Sequence, residues 1–171
     1  MGAENIKQRE SELVKKTFKA FKRIPTLQIL AANIEKRLGV FSFYEPNIHY
    51  NLFVKLLNDR YGVQVRGGCS CAGTYGHYLL HIDPAESKRI TDQIDGGDLS
   101  EKPGWIRLSL HPTMTDEELD YTLNAIREIV ENIGEWQNDY YYDCCSNEFL
   151  HANTTTEELR FMDEWFKINK S

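Results

Sequence analysis

The chain lacks what a membrane-spanning, secreted or fibrous protein needs. No apolar run approaches the ~18 residues of a membrane-crossing helix, and Met1-Gly2-Ala3-Glu4-Asn5 holds no apolar leader, so the expectation is a chain neither inserted nor secreted. There is no internal repeat and no low-complexity tract, which excludes solenoid and collagen-like architectures. Cysteine is scarce. The 4 cysteines fall in two tight pairs, Cys69/Cys71 and Cys144/Cys145, a distribution that suits reduced thiols in the cytoplasm better than a disulfide framework. Zinc sites usually separate paired cysteines by roughly two to four residues, so no metal is expected at these four. The 5 histidines form no HExxH-like pattern, and His77 and His81, four apart, read as structural or solvent-facing.

What is present is the composition of one globular domain. Its 41% apolar and 27% charged residues are enough for a real core and too balanced for disorder. Charge is unevenly placed. Residues 1–114 hold 16 basic and 12 acidic residues, whereas residues 115–171 hold 4 and 14. That argues against nucleic acid as a partner of the C-terminal third. The one basic cluster, Lys15, Lys16, Lys19, Lys22 and Arg23, rides the polar side of a predicted helix, its later members near the C-terminal dipole end.

Periodicity predicts a helix over 5–23, closed by Ile24-Pro25, then a short strand Leu27–Leu30 and a strand Val40–Tyr44 rich in aromatic residues. Asn47 is placed to cap a helix running to Tyr61, with Gly62 past its end. A short β-like run, Val63-Gln64-Val65, leads into Arg66. Residues 74–81 read as helix or packed loop, and Pro84 opens a helix to about Ile94. Trp105–Leu110 is a strand. Thr115 and Glu118 form a capping box for a helix ending near Gly134, 139–143 is irregular or weakly extended, and Thr155 with Glu158 marks a last helix. The expected fold class is α+β, a small, mostly antiparallel sheet with helices packed on it. The expected division is one domain over 1–171: a linking helix to 24, a core over 25–135 and a C-terminal extension over 136–171.

The chemistry centres on Arg66-Gly67-Gly68-Cys69-Ser70-Cys71-Ala72-Gly73 and on Arg107 in the apolar run Trp105–Leu110. A glycine pair at a strand end turns the backbone and presents thiols. A thiol is a nucleophile only as thiolate, in an exposed, electropositive setting, and a buried inert cysteine fits the same spacing equally well. An arginine among apolar neighbours must find an anion. Either a carboxylate within the fold or a substrate carboxylate, gripped by two guanidinium N–H groups, satisfies it.

These two segments together resemble the cysteine-bearing turn and the following strand and helix of class V aminotransferase-like enzymes, the cysteine desulfurase and selenocysteine lyase group. Arg66–Gly73 resembles the turn, and Arg107-Leu108-Ser109-Leu110 followed by Thr115–Asp120 resembles the strand and helix; the match spans roughly 38–133. The resemblance implies the C-terminal small domain of a fold-type I pyridoxal-phosphate enzyme. It implies Cys71 as the sulfur-accepting catalytic residue, Arg107 as the substrate-carboxylate clamp and Arg66 as a second substrate-binding residue at the loop entrance. It further implies an amino-acid substrate, a large cofactor-binding domain as partner, a homodimer, a sulfur-acceptor protein, and an apolar docking face. An ordinary class V aminotransferase with Cys71 a bystander, or a non-catalytic thiol- or metal-binding module, are the alternatives.

Three departures qualify the resemblance. Cys69-Ser70 stands where many members carry histidines, and the resulting Cys-x-Cys resembles the molybdenum cofactor sulfurase branch. The stretch 74–103 is longer than the usual link. The family's cofactor lysine follows a histidine, and this chain has no His-Lys pair. The implication is that pyridoxal phosphate belongs to the full-length enzyme and that this chain alone does not hold it.

Overall fold

The structure is a computed structural model and describes residues 2–69 and 73–154. In chain order the elements are α1 (Ala3–Phe21), β1 (Gln28–Ile29), β2 (Val40–Tyr44), α2 (Tyr50–Tyr61), β3 (Arg66–Gly68), α3 (Gly73–Leu79), α4 (Pro84–Asp95), β4 (Trp105–Ser109), α5 (Asp116–Trp136), a 3-10 turn (Gln137–Asp139), β5 (Tyr140–Asp143) and β6 (Glu148–His151). Four strands form one sheet in the order β1-β2-β4-β3, and all three pairings are antiparallel. Because β2 and β3 both run antiparallel to β4, they are parallel to each other. The unit β2-α2-β3 is therefore a split crossover with β4 inserted. This is the expected α+β class.

Alternation along the strands sorts the two faces. Phe41 and Phe43 of β2 and Ile106 and Leu108 of β4 are buried. The aromatic rings meet those of α1 and α2 edge to face: Phe18–Phe41 at 5.0 Å, Phe21–Phe43 at 4.9 Å and Phe43–Phe53 at 5.9 Å between centroids. Leu119, Ile126 and Ile129 of α5 complete this layer. Each such buried side chain contributes about 1.5–3 kcal/mol of transfer free energy, which the sparse polar contacts between helices cannot match. Two of those contacts, Arg9–Asp116 and Lys16–Asp120, both at 2.8 Å, tie α1 to α5. Lys22 meets Glu35, so part of the basic cluster is spent on internal ion pairs.

Most element boundaries agree with the sequence reading, and the differences have local causes. The helix expected from Asn47 starts instead after His49, whose Nδ1 accepts from the Asn51 N–H at 3.2 Å. Asn47 is already engaged, its N–H donating to the buried Glu45 carboxylate at 2.6 Å. The strand expected from Val63 starts at Arg66. The Val63 N–H donates to Leu57 O at 3.0 Å behind the left-handed Gly62, so it closes α2 rather than joining a ladder. The Thr115 capping box is present, and α5 runs through Gly134 to Trp136. The weakly extended 139–143 is one arm of a hairpin, β5–β6, whose second arm is absent from the sequence reading. The last predicted helix, with its Thr155/Glu158 box, lies outside the described residues.

Candidate functional site

The sheet face away from α1, α2 and α5 carries the polar alternates of the same strands. Cross-strand register places Ser42 beside Arg107 and Arg107 beside Arg66, a row of three side-chain positions running from β2 through β4 to β3. Gly67, one residue on, pairs with core-facing Ile106 and turns toward α2, where a Cβ would lie 2.9 Å from Asn51 Oδ1 and 3.0 Å from the Tyr50 ring. Glycine at 67 thus lets β3 approach α2. Gly68 has φ +108°, a backbone region that disfavours any side chain, and from it the chain leaves the sheet toward the thiols.

Arg66 is exposed and Arg107 half-buried, and neither meets a carboxylate among the described residues. Like charges directly opposite each other across an antiparallel pair destabilise it. Of the two partners the sequence allowed for Arg107, an internal carboxylate does not occur among the described residues. Two arginines in direct cross-strand register concentrate positive charge at β3–β4, a setting suited to a planar anion.

The thiols divide. Cys69 is half-buried, and its S–H donates to the carbonyl oxygen of Pro103. Burial pushes this thiol up, with the positive charge of Lys102 pulling it partly back. Cys69 therefore behaves as a packed, protonated donor. Cys71, the predicted sulfur acceptor, lies outside the described residues, one residue beyond Ser70 and two before Gly73. Cys144 and Cys145 are exposed on the β5–β6 turn. Among the described residues the compact group of potential ligands is Asp143, Cys144 and Cys145, without Cys69. His77 and His81 do not pair. The His77 ring meets Ser87 Oγ at 2.5 Å, and His81 is exposed with φ 57° past the end of α3.

The long link between β3 and β4 folds as α3 and α4. Gly76 of α3 comes close enough that a Cβ would lie 3.2 Å from the Trp105 ring and 3.4 Å from Cys69 Sγ. Trp105 is on the same sheet face as Arg107, so α3 covers one end of that face and buries Trp105 to 5% exposure. Arg66 and Arg107 lie beyond the covered end.

A layer the sequence reading missed braces the edge behind β3. Tyr50 packs its ring against Gly104, where a Cβ would approach to 2.6 Å, and stacks on His49 at 4.5 Å. Asn147, buried in the hairpin turn at φ 59°, donates from Nδ2 to Tyr50 Oη at 2.7 Å and accepts at Oδ1 from Tyr142 at 2.9 Å. Its own carbonyl accepts from Asn51 Nδ2. The signal in the sequence was Ser146-Asn147 between Tyr140-Tyr141-Tyr142 and Phe149-Leu150, a left-handed turn residue between two extended apolar runs.

The donors on the arginine face do not fit pyridoxal phosphate as a covalently held group. Guanidinium groups stay charged and cannot form its imine, and the His-Lys pair is missing.

Comparison with known proteins bears on this geometry. A family model for class-V aminotransferases matches residues 1–122. Among solved structures, the apo cysteine desulfurase from Thermococcus onnurineus NA1 is 22% identical, covers 75% of this chain and superposes with a TM-score of 0.51. The cysteine desulfurase CsdA from Escherichia coli, in its S-sulfonic acid form, is 18% identical over 74% of the chain with a TM-score of 0.48. A NifS-like protein is 23% identical over 73%, also at 0.48. At these identities the likeness to the Thermococcus enzyme is one of fold. The matches cover 26%, 25% and 28% of those three chains respectively. No curated protein matches by sequence. Among the described residues no helix is long and apolar enough to cross a membrane.

Proposed function

The chain belongs to the class-V aminotransferase family, and from that premise we propose that it is the small sheet-bearing domain of a pyridoxal-phosphate enzyme of the cysteine desulfurase or selenocysteine lyase type. The observation that carries this reading is the direct cross-strand register of Arg66 with Arg107, on a strand β3 that is followed in sequence by Cys69 and Cys71. Arg107, half-buried and flanked by Trp105 and Ser109 on its own face, is the better fixed of the two guanidinium groups. It takes the substrate α-carboxylate through two parallel N–H donors, and Arg66 adds charge at the rim. The Cys71 thiolate attacks the substrate's sulfur or selenium; the Cβ–S or Cβ–Se bond breaks with its electron pair passing to the carbon skeleton, which takes up a proton and leaves as alanine, and Cys71 is left carrying the persulfide or selenylsulfide.

The cofactor supplies the electron sink when bound by a large domain that completes the site, and this chain's residues position substrate and sulfur. The exposed apolar residues Ile34, Leu38 and Val40, on the segment entering β2, support a docking face for that domain. A homodimer, a sulfur-acceptor protein, a cytoplasmic setting and a chain inactive by itself belong to the same proposal, as does the division at 24 and 135.

The test uses the complete enzyme with its cofactor domain. Cys71→Ala should abolish sulfur release from L-cysteine while leaving the cofactor absorbance intact. Arg107→Gln should raise KM for L-cysteine by tenfold or more, about 1.4 kcal/mol of lost carboxylate binding. Unchanged sulfur release in Cys71→Ala would make Cys71 a bystander in a transaminase. Unchanged KM in Arg107→Gln would refute the clamp.

A further inference from the structure

The β5–β6 turn holds two thiols that the proposed reaction does not use. Cys144 and Cys145 are both exposed, and their Sγ atoms lie 4.0 Å apart. A carboxylate oxygen of Asp143 lies within 4.8 Å of both sulfurs. Neighbouring side chains in sequence usually diverge, so this convergence needs a cause, and the turn provides one. Asp143 accepts the Cys145 N–H at Oδ1 and the Ser146 hydroxyl at Oδ2, both at 2.9 Å, which folds the backbone back over the carboxylate.

The turn is also fastened to the body of the domain at both ends. The Leu99 N–H donates to Cys144 O at 2.9 Å. At the other end Asn147 is locked between Tyr50 and Tyr142 in a left-handed conformation. The thiols are therefore presented by a braced turn rather than by a free loop.

We propose that Asp143, Cys144 and Cys145 form a surface binding site for a thiophilic divalent cation of the zinc class. Zinc–thiolate bonds of ~2.3 Å drawn to two sulfurs 4.0 Å apart subtend about 120° at the metal. Closing the sulfurs by about 0.2 Å gives the tetrahedral angle, a shift within side-chain rotation. A disulfide, at ~2.05 Å, would need the separation to fall by about half, and it would need an oxidant. The carboxylate retains lone pairs after its two internal hydrogen bonds, and those bonds orient it as an outer shell orients a metal ligand. The fourth position stays open to water or to a donor from another molecule. Adjacent cysteines have no spacer, which made them poor candidates by sequence spacing; the turn geometry overrides that. This site is independent of the assignment of Cys71 and Arg107.

The test titrates the reduced 171-residue chain with Cd2+ and follows the thiolate-to-cadmium charge-transfer band, then displaces Cd2+ with Zn2+. One ion per chain with the band intensity of two thiolates is expected. A Cys144→Ser, Cys145→Ser double variant should lose the band, and Asp143→Asn should weaken binding by about tenfold. A Cys69→Ser, Cys71→Ser double variant should retain both band and stoichiometry. Circular dichroism of each variant establishes that it is folded. No saturable band, or a band that survives loss of Cys144 and Cys145, would overturn the proposal. A band that disappears with Cys69 and Cys71 would do the same, by assigning the cation to the other thiol pair.

Discussion

If Arg107 held a carboxylate inside the fold, removing it would cost stability. If it waits for an external anion beside Arg66, removing it should relieve repulsion. Arg66→Gln, Arg107→Gln and the double variant form a cycle that separates the two. Gln retains part of the aliphatic stem, and packing losses common to both backgrounds cancel in the coupling term. The register places the two residues directly opposite across β3 and β4. Cross-strand charge pairs are worth about 0.2–1 kcal/mol, with like charges unfavourable. Each single substitution should therefore be more favourable, by about 0.5 kcal/mol, when the other arginine is present than when it is absent. That corresponds to about 1–2 °C in Tm for a chain of this size.

The coupling should shrink with salt, because the screening length falls from ~10 Å at 0.1 M to ~3 Å at 1 M. Added sulfate or a small carboxylate should stabilise the wild-type chain more than the double variant. Denaturant unfolding at two ionic strengths measures all of this. A zero or attractive coupling would refute the reasoning. So would an Arg107→Gln loss of about 3 kcal/mol or more, the signature of a broken buried ion pair.

Three further outcomes follow from local geometry. Burial holds the His49 imidazole below its usual 6.5, and its Nδ1 caps α2 only while unprotonated. The stabilisation tied to the neutral ring is thus complete above the unfolded value of 6.5, declines below it, and is gone once pH has fallen through the lowered folded value; urea unfolding at successive pH values should show that decline, and His49→Asn, which keeps a capping acceptor, should flatten it. Gly104→Ala drives a Cβ to 2.6 Å from the Tyr50 ring and should cost about 1–3 kcal/mol by overpacking, read as a lower denaturant midpoint. Thr115→Ala removes the N-cap acceptor that Glu118 N–H reaches at 3.1 Å and should cost about 1 kcal/mol, measured the same way.

The elements that build the sheet's core face were legible in the sequence because their signals are local. The β-branched and aromatic residues of Val40–Tyr44 and Trp105–Leu110, the glycine after Tyr61 and the Thr115 box each specify their element without help from distant residues. The site was legible in part. Arg66 and Arg107 were singled out by their settings, but their adjacency depends on β4 entering between β2 and β3, a long-range pairing no local pattern encodes. The misplaced helix start at 47 and strand start at 63 share one cause. In both places a polar backbone group was claimed by a neighbour, the Asn47 N–H by Glu45 and the Val63 N–H by Leu57 O, and such competition is invisible until partners are in place. The hairpin over 140–151 was missed because a tyrosine-rich run reads as irregular until Asn147 is seen to turn it.

The Cys71 sulfur is the proposed acceptor of the substrate's sulfur. The direct measurement is mass spectrometry of the Cys71 peptide after a single turnover of L-cysteine by the complete enzyme, under non-reducing conditions. The expected peptide is heavier by one sulfur atom, which is lost on reduction and absent when Arg107 is replaced by Gln at limiting substrate. An unmodified Cys71 during turnover that still releases sulfur would contradict that role.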